Sequence, residues 1–201
     1  MISYPIEALI KSNLFDNIHV STNDREIAEV VEKQGLKIDF YRPNELSDDH
    51  TPIMPVIRYV IEEYIKLKKN YNEVWVVLPC SPMLNSEDLI KASIIFNETL
   101  YSSSLMSVTE YPVPIEWAFE TNKKGFLQPV KKGYFAIRSQ DLKKKFYDAG
   151  MFYIYSNKLV LNAENEGSDE NIIPYFISKG KAIDIDDFED WEFAEKLFKI
   201  N

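Results

Sequence analysis

The chain has 201 residues, 45% of them hydrophobic, with a formal net charge of −9. That length suits one domain with its own apolar core, needing neither a disulfide nor a metal staple. The acidic balance argues against broad nucleic-acid binding, which relies on a basic face, but leaves room for a small anionic ligand held by a few local cations.

Cys80 is the single cysteine and can form no internal disulfide, so a reducing, cytoplasmic setting is expected. The opening residues lack the basic and apolar regions of a signal peptide. No apolar run is long enough to span a bilayer, so no membrane partner is expected.

In chain order, residues 3–13 read as a helix with Ile6, Leu9 and Ile10 on one face. Residues 18–21 read as a short strand. Asp24 then caps a helix running to about Gln34, which Gly35 ends. Residues 37–41 read as a second strand, followed by a polar loop from Arg42 to His50. Pro52 suits the first turn of a long helix reaching about Lys69. Residues 74–78 are a continuous apolar run, as in a strand buried on both faces. Ser86 is the expected cap of a helix carrying Leu89, Ile90, Ala92 and Ile95.

This alternation predicts an α/β fold with a mainly parallel sheet and helices on both sides, in three layers. Ligands of such sheets bind beyond the carboxyl ends of the strands. The segments 21–24, 42–51 and 79–82 should therefore meet at one crevice. After Ser104 the rhythm changes. Residues 105–111 read as a strand, and residues 117–120 and 125–128 as a hairpin around Asn122, Lys123 and Lys124. A small β-rich insert at about 110–147 is expected within a single domain spanning 1–201, and its aromatics suggest an interface. Residues 148–155, 172–177 and 181–185 read as strands, and residues 187–199 as a helix with an acidic start.

An α/β unit of this kind usually opens with a strand, whereas here the first element is a helix at residue 3. No Gly-rich phosphate-cradling turn precedes it, and the chain has only 6 glycines. On pattern alone, two readings stand: the fold begins with a helix, or a strand and loop are missing.

Several segments, in order, resemble the acylneuraminate (CMP-sialic acid) cytidylyltransferase family, nearest its pseudaminic acid branch. They are Met1-Ile2-Ser3-Tyr4-Pro5-Ile6, Val20-Ser21-Thr22-Asn23-Asp24-Arg25-Glu26-Ile27-Ala28, and Arg42-Pro43-Asn44-Glu45-Leu46. Leu78-Pro79-Cys80-Ser81-Pro82 is a weakened form of the family's Pro-Thr-Ser-Pro turn. Arg138-Ser139-Gln140-Asp141-Leu142 and Tyr147-Asp148-Ala149-Gly150-Met151-Phe152-Tyr153 are similar to the pseudaminic branch. Ile183-Asp184-Ile185-Asp186 is similar to the C-terminal metal motif. The similarity runs along the whole chain. The family's strand and Gly-rich triphosphate loop would lie before Met1, which favours the truncated reading.

The resemblance implies a Rossmann-like nucleotidyltransferase fold with a dimerisation insert, forming a homodimer. It implies transfer of CMP from CTP to a nine-carbon acidic sugar, with pseudaminic acid as the expected substrate and Mg²⁺ as cofactor. Asp184 and Asp186, two apart on a strand, would put both carboxylates on one face, which suits Mg²⁺ with substrate phosphates. The bland alternative is an ordinary acidic strand–helix junction. Arg42 offers paired donors to cytosine O2 and N3, with Thr51 or its backbone at the remaining edge; the alternative is that Arg42 pairs with Asp48 or Asp49 and holds the loop. Arg138 and Gln140 are candidates for the sugar carboxylate, the resemblance implying that Arg138 can serve the neighbouring subunit's site across a dimer; the alternative is that Arg138 is a surface residue beside Lys143, Lys144 and Lys145. Asp148, Phe152 and Tyr153 are candidates for shaping the sugar pocket, though aromatics are equally often core.

Two rival functions stand beside this one. The chain could be an inactive truncated paralogue acting as a nucleotide-binding or partner subunit. Or it could be a related sugar nucleotidyltransferase.

Overall fold

The computed structural model describes residues 1–100, 102–163, 170–183, 185 and 187–199. Its organising element is a sheet of four strands: β1 (Glu73–Val77), β2 (Leu105–Glu110), β5 (Phe146–Ser156) and β6 (Ile173–Phe176), in the order β1-β5-β2-β6. β5 runs antiparallel to both β1 and β2, while β2 and β6 pair in parallel. Three of the four strands therefore point the same way, and the long β5 returns between them. A register shift between Met106 and Val108 marks an irregularity where β2 meets β5.

Helices cover both faces. α1 (Ser3–Ser12) and α4 (Ser86–Asn97) lie on one side. Ala8, Leu89, Ala92 and Phe96 pack there with Leu105, Phe152 and Ile154 in the main core, and Trp75 and Val77 of β1 join them. α3 (Ile53–Lys66) and α5 (Asn157–Asn162) lie on the other side. Met54, Ile57, Ile61 and Val160 pack there against Val74 and Val76. β1 thus packs half-buried side chains against both layers, in keeping with its unbroken apolar sequence. This is the expected three-layer α/β arrangement.

Local capping follows the sequence closely. Asp24 accepts hydrogen bonds from the amides of Glu26 (2.7 Å) and Ile27 (3.3 Å) and so starts α2 (Arg25–Lys33). Gly35, at φ +82, ends it in the left-handed region that glycine enters without strain. The cap of α4 is Asn85, one residue before the expected Ser86; its side chain accepts from the Asp88 amide at 3.0 Å. α3 stops at Lys66 rather than Lys69, because Lys68 turns to a positive φ of 60.

Residues 18–21 and 37–41 form no strand, although both read as strands, and neither does the described part of 181–185. A strand needs a neighbour to receive its hydrogen bonds. The backbone of residues 18–21 bonds to no other segment among the described residues. At its end the chain is held by the Arg42 amide, which donates to the Thr22 carbonyl at 2.9 Å.

Between β2 and β5 an arm projects, containing the hairpin β3 (Phe119–Thr121) and β4 (Leu127–Pro129). Trp117 braces its base, donating from Nε1 to the carbonyls of Tyr134 (3.1 Å) and Ile137 (3.2 Å). The buried Glu116 meets Lys145 at 2.6 Å and ties the arm to the body. Phe119, Phe126, Leu127, Val130 and Phe135 are exposed on it. α6 (Phe188–Phe198) closes the chain. Asp187 caps it, accepting from the amides of Glu189 and Asp190, and so faces the helix.

Candidate functional site

A cavity of about 710 Å³ opens at the carboxyl end of β1. Ser21, Thr22, Arg42, Leu78 and Pro79 all line it. The three loops expected to meet at one crevice therefore do contribute to one cavity. Asn23 Nδ2 donates to Asn44 Oδ1 at 3.3 Å, tying the first loop to the second. The Thr22 hydroxyl accepts from the Asp24 amide at 3.0 Å, so that loop is set by its own short polar side chains.

Arg42 points its Nε at the Ser47 hydroxyl, 3.0 Å away. It forms no ion pair with Asp48 or Asp49 among the described residues. Asp48 is used within its own loop, accepting from the amides of His50 (2.9 Å) and Thr51 (2.6 Å). These bonds, that from the Thr51 side chain first, hold the Asp48 carboxyl below its ordinary range. The Thr51 hydroxyl also donates to the Glu45 carbonyl at 3.4 Å. The loop is thus braced from within, and the guanidinium is free of carboxylates at the cavity wall.

Arg138 sits on the arm, with its side chain 71% exposed, and pairs with Asp141 through Nε (2.9 Å) and Nη2 (3.3 Å). Gln140 is exposed beside it and accepts from the Ser139 hydroxyl at 3.4 Å. Neither lines the cavity that Arg42 lines. Asp148 and Tyr153 are neighbours on β5: the Tyr153 hydroxyl donates to one Asp148 oxygen and the Gly150 amide to the other. Phe152 is fully buried, stacked on Trp75 and tilted against Tyr175. It supports β5 from beneath and presents no surface to a ligand; strand alternation sends it to the core and Tyr153 to the other face.

Asp184 and Asp186 lie outside the described residues. Their described neighbours Ile183 and Ile185 pack with Met83, Ala194 and Leu197, holding this segment against α6 and the turn before α4. No group of three or more His, Cys, Asp or Glu side chains is placed to hold a metal among the described residues.

One polar cluster escaped the sequence. Asp88, almost buried in the first turn of α4, receives Lys181 Nζ at 2.6 Å and the Tyr175 hydroxyl at 3.3 Å. Burial, then the Asp88 carboxylate, pushes the Tyr175 hydroxyl far above its usual range. The cluster joins α4 and β6 to the segment that leads to Asp184. The partners are 87 and 93 residues apart, and no spacing rule links them.

A family model described as Cytidylyltransferase matches residues 1–93. The pseudaminic acid cytidylyltransferase of Campylobacter jejuni is 33% identical over 201 residues, covering 100% of this chain and 86% of the relative. The CMP-N,N'-diacetyllegionaminic acid synthase of Legionella pneumophila is 25% identical over 207 residues, with the same coverages. Among solved structures, a CMP:2-keto-3-deoxy-manno-octonic acid synthetase complexed with CTP superposes with a TM-score of 0.71 at 13% identity, over 99% of this chain and 87% of that one. At that identity the likeness shows the fold. Among the described residues, no helix is long and apolar enough to cross a membrane.

Proposed function

This chain belongs to the cytidylyltransferase family, and we propose that it transfers CMP from CTP to a nonulosonic acid, with pseudaminic acid as the acceptor. The single observation that carries the reading is the match along the whole chain to a pseudaminic acid cytidylyltransferase. The convergence of Thr22, Arg42 and Pro79 on one cavity at the strand ends is consistent with it.

In this reaction the anomeric hydroxyl oxygen of the sugar forms a bond to the α-phosphorus of CTP. The bond from that phosphorus to the bridging oxygen breaks, pyrophosphate leaves, and the hydroxyl proton passes to solvent. Such transfers need positioning and charge neutralisation more than covalent help. Arg42, whose guanidinium faces no carboxylate, would read the cytosine acceptors, with Thr51 beside it holding the loop. Arg138 would meet the sugar carboxylate after giving up Asp141, and Gln140, Asp148 and Tyr153 would contact the sugar. Mg²⁺, held by Asp184 and Asp186, would neutralise charge on the phosphates. We further propose a cytoplasmic homodimer, with the exposed aromatic arm covered by the second copy.

Pyrophosphate release from CTP, pseudaminic acid and Mg²⁺ tests the assignment, alongside Asp186→Asn. Turnover with pseudaminic acid that falls at least about 100-fold in the variant, with unchanged circular dichroism, is expected. Equal turnover in both proteins would remove Asp186 from the site. Turnover only with another nonulosonic acid would keep the chemistry and change the acceptor.

A further inference from the structure

An arginine side chain is long and rotatable, and its planar fork selects between base edges only where that plane is fixed. One neighbour of Arg42 fixes it. The Ser47 hydroxyl accepts from Arg42 Nε at 3.0 Å and donates to the Pro43 carbonyl at 2.9 Å. A hydroxyl has a single proton, and here the Pro43 carbonyl receives it. The Ser47 oxygen therefore turns a lone pair, not a proton, toward the arginine.

The backbone brings the two side chains together. The Arg42 amide is anchored on the Thr22 carbonyl at 2.9 Å, and Pro43 confines Arg42 to an extended backbone. The 3₁₀ turn Asn44–Leu46 then folds the chain back, with the Ser47 amide donating to the Asn44 carbonyl at 3.0 Å. Ser47 thus returns beside the residue it contacts. The guanidinium makes no other hydrogen bond among the described residues, and its Nη groups are not buried. Nε is held by the loop, the Nη donors are unpaired, and Arg42 lines the cavity.

The chemistry of the pyrimidines makes that fixed plane matter. Cytosine presents two adjacent acceptors, O2 and N3, whereas N3 of uracil carries a proton and is a donor. Paired N–H donors aimed at O2 and N3 satisfy cytosine and set a donor against a donor in uracil, an attractive and a repulsive element in one contact. An arginine free to swing would meet O2 alone, which both bases share.

We propose that Ser47 is a positioning residue for base selection, holding the Arg42 guanidinium in the orientation that accepts cytosine and rejects uracil. This rests on Arg42 being the reader of the cytosine edge, so the experiment tests the two residues separately.

The probes are CMP and UMP, titrated by calorimetry into the full chain. They differ only in the base, so contacts to phosphate and ribose cancel in the comparison. Ser47→Ala should weaken CMP about fivefold or more, while UMP changes less than about twofold. Ser47→Thr, which keeps the hydroxyl, should keep the preference for CMP. Ser47→Val, nearly the same shape without the hydroxyl, should lose it. The Thr and Val pair decides the matter even where Ser47→Ala loosens the loop. Equal weakening of CMP and UMP in Ser47→Val would mean that the hydroxyl only holds the loop, and would overturn the proposal. So would Thr and Val variants with the same preference. Either result, with CMP binding lost in Arg42→Ala, removes Ser47 alone and leaves Arg42 as the reader. No preference for CMP in the unaltered chain, or unchanged CMP affinity in Arg42→Ala, would overturn the reading of Arg42 and the proposal with it.

Discussion

The two sides of β1 differ in one respect that explains much of this protein. On one side lie β5, β2 and β6, hydrogen-bonded in register, over a core in which Phe96, Phe152, Leu105 and Ile154 are fully buried. On the other lie residues 18–21 and 37–41, with alternating apolar residues such as Ile18, Val20, Ile38 and Phe40, and no ladder among the described residues. Both regions have strand-like side chains; only one has strand partners. Side-chain pattern therefore decides which residues are buried, while the ladder depends on a neighbour being in reach. Perturbations that act on one side and spare the other test this directly.

The largest effect is expected on the paired side. Phe152→Ala removes a ring packed between Trp75 and Tyr175. Loss of about 3–5 kcal/mol is expected in urea unfolding, from burial lost plus the cavity left. A loss below about 1 kcal/mol would mean the core relaxes as freely as the cavity wall beside residues 18–21.

The open side should instead report through pH. His19 stacks on Phe40, with ring centroids 4.4 Å apart, and meets Tyr64 edge-on. Burial lowers its pKa from 6.5 to about 4, against an opposing pull from Asp39. Between those values the unfolded chain binds the proton and the folded one does not, so stability falls as pH drops from 6.5 towards 4. The loss should reach on the order of 3 kcal/mol, at about 1.4 kcal/mol per unit. His19→Phe should flatten the part of the profile that His19 contributes. A profile unchanged in slope by that substitution would place His19 in water rather than against Phe40.

The same contrast explains what could be read from the sequence. Helices α1 to α4 and α6, the Asp24 cap, the hairpin arm, and strands β1, β2, β5 and β6 were legible, because periodicity and capping are local, whereas the six-residue α5 is too short to show a period and went unread. So was the convergence of the loops after residues 20, 41 and 78, which follows from chain direction in an α/β sheet. Whether residues 18–21 pair was not legible, since it depends on a strand elsewhere. Phe152 and Tyr153 looked alike as aromatics, and the fold separated them into core and surface by alternation along β5. The Asp88–Lys181–Tyr175 cluster was invisible because ion pairs between distant segments leave no spacing.

That cluster gives a smaller effect on the paired side. Lys181→Met leaves the Asp88 carboxylate facing Tyr175 without its cation. Breaking a buried pair costs about 3–5 kcal/mol, but the Lys181 side chain is 31% exposed, so water screens part of it and about 1–2 kcal/mol is expected. The double variant with Asp88→Asn should recover part of the loss, because no charge is then stranded. Equal losses in the single and double variants would show that Lys181 contributes packing alone.

The smallest effect is the most informative about the cavity beside β1. Val20 lies on the wall whose backbone has no partner, and its surroundings include open cavity. Val20→Ala deletes two methyl groups, which in a filled core costs more than the transfer of the methyls alone, because a new void is made. Where a void already exists that second contribution is absent, so a loss of only a few tenths of a kcal/mol is expected in the chain by itself. A large cost would mean that residues 18–21 are already packed as a strand should be. The difference between the two sides of β1 would then be one of hydrogen bonds alone.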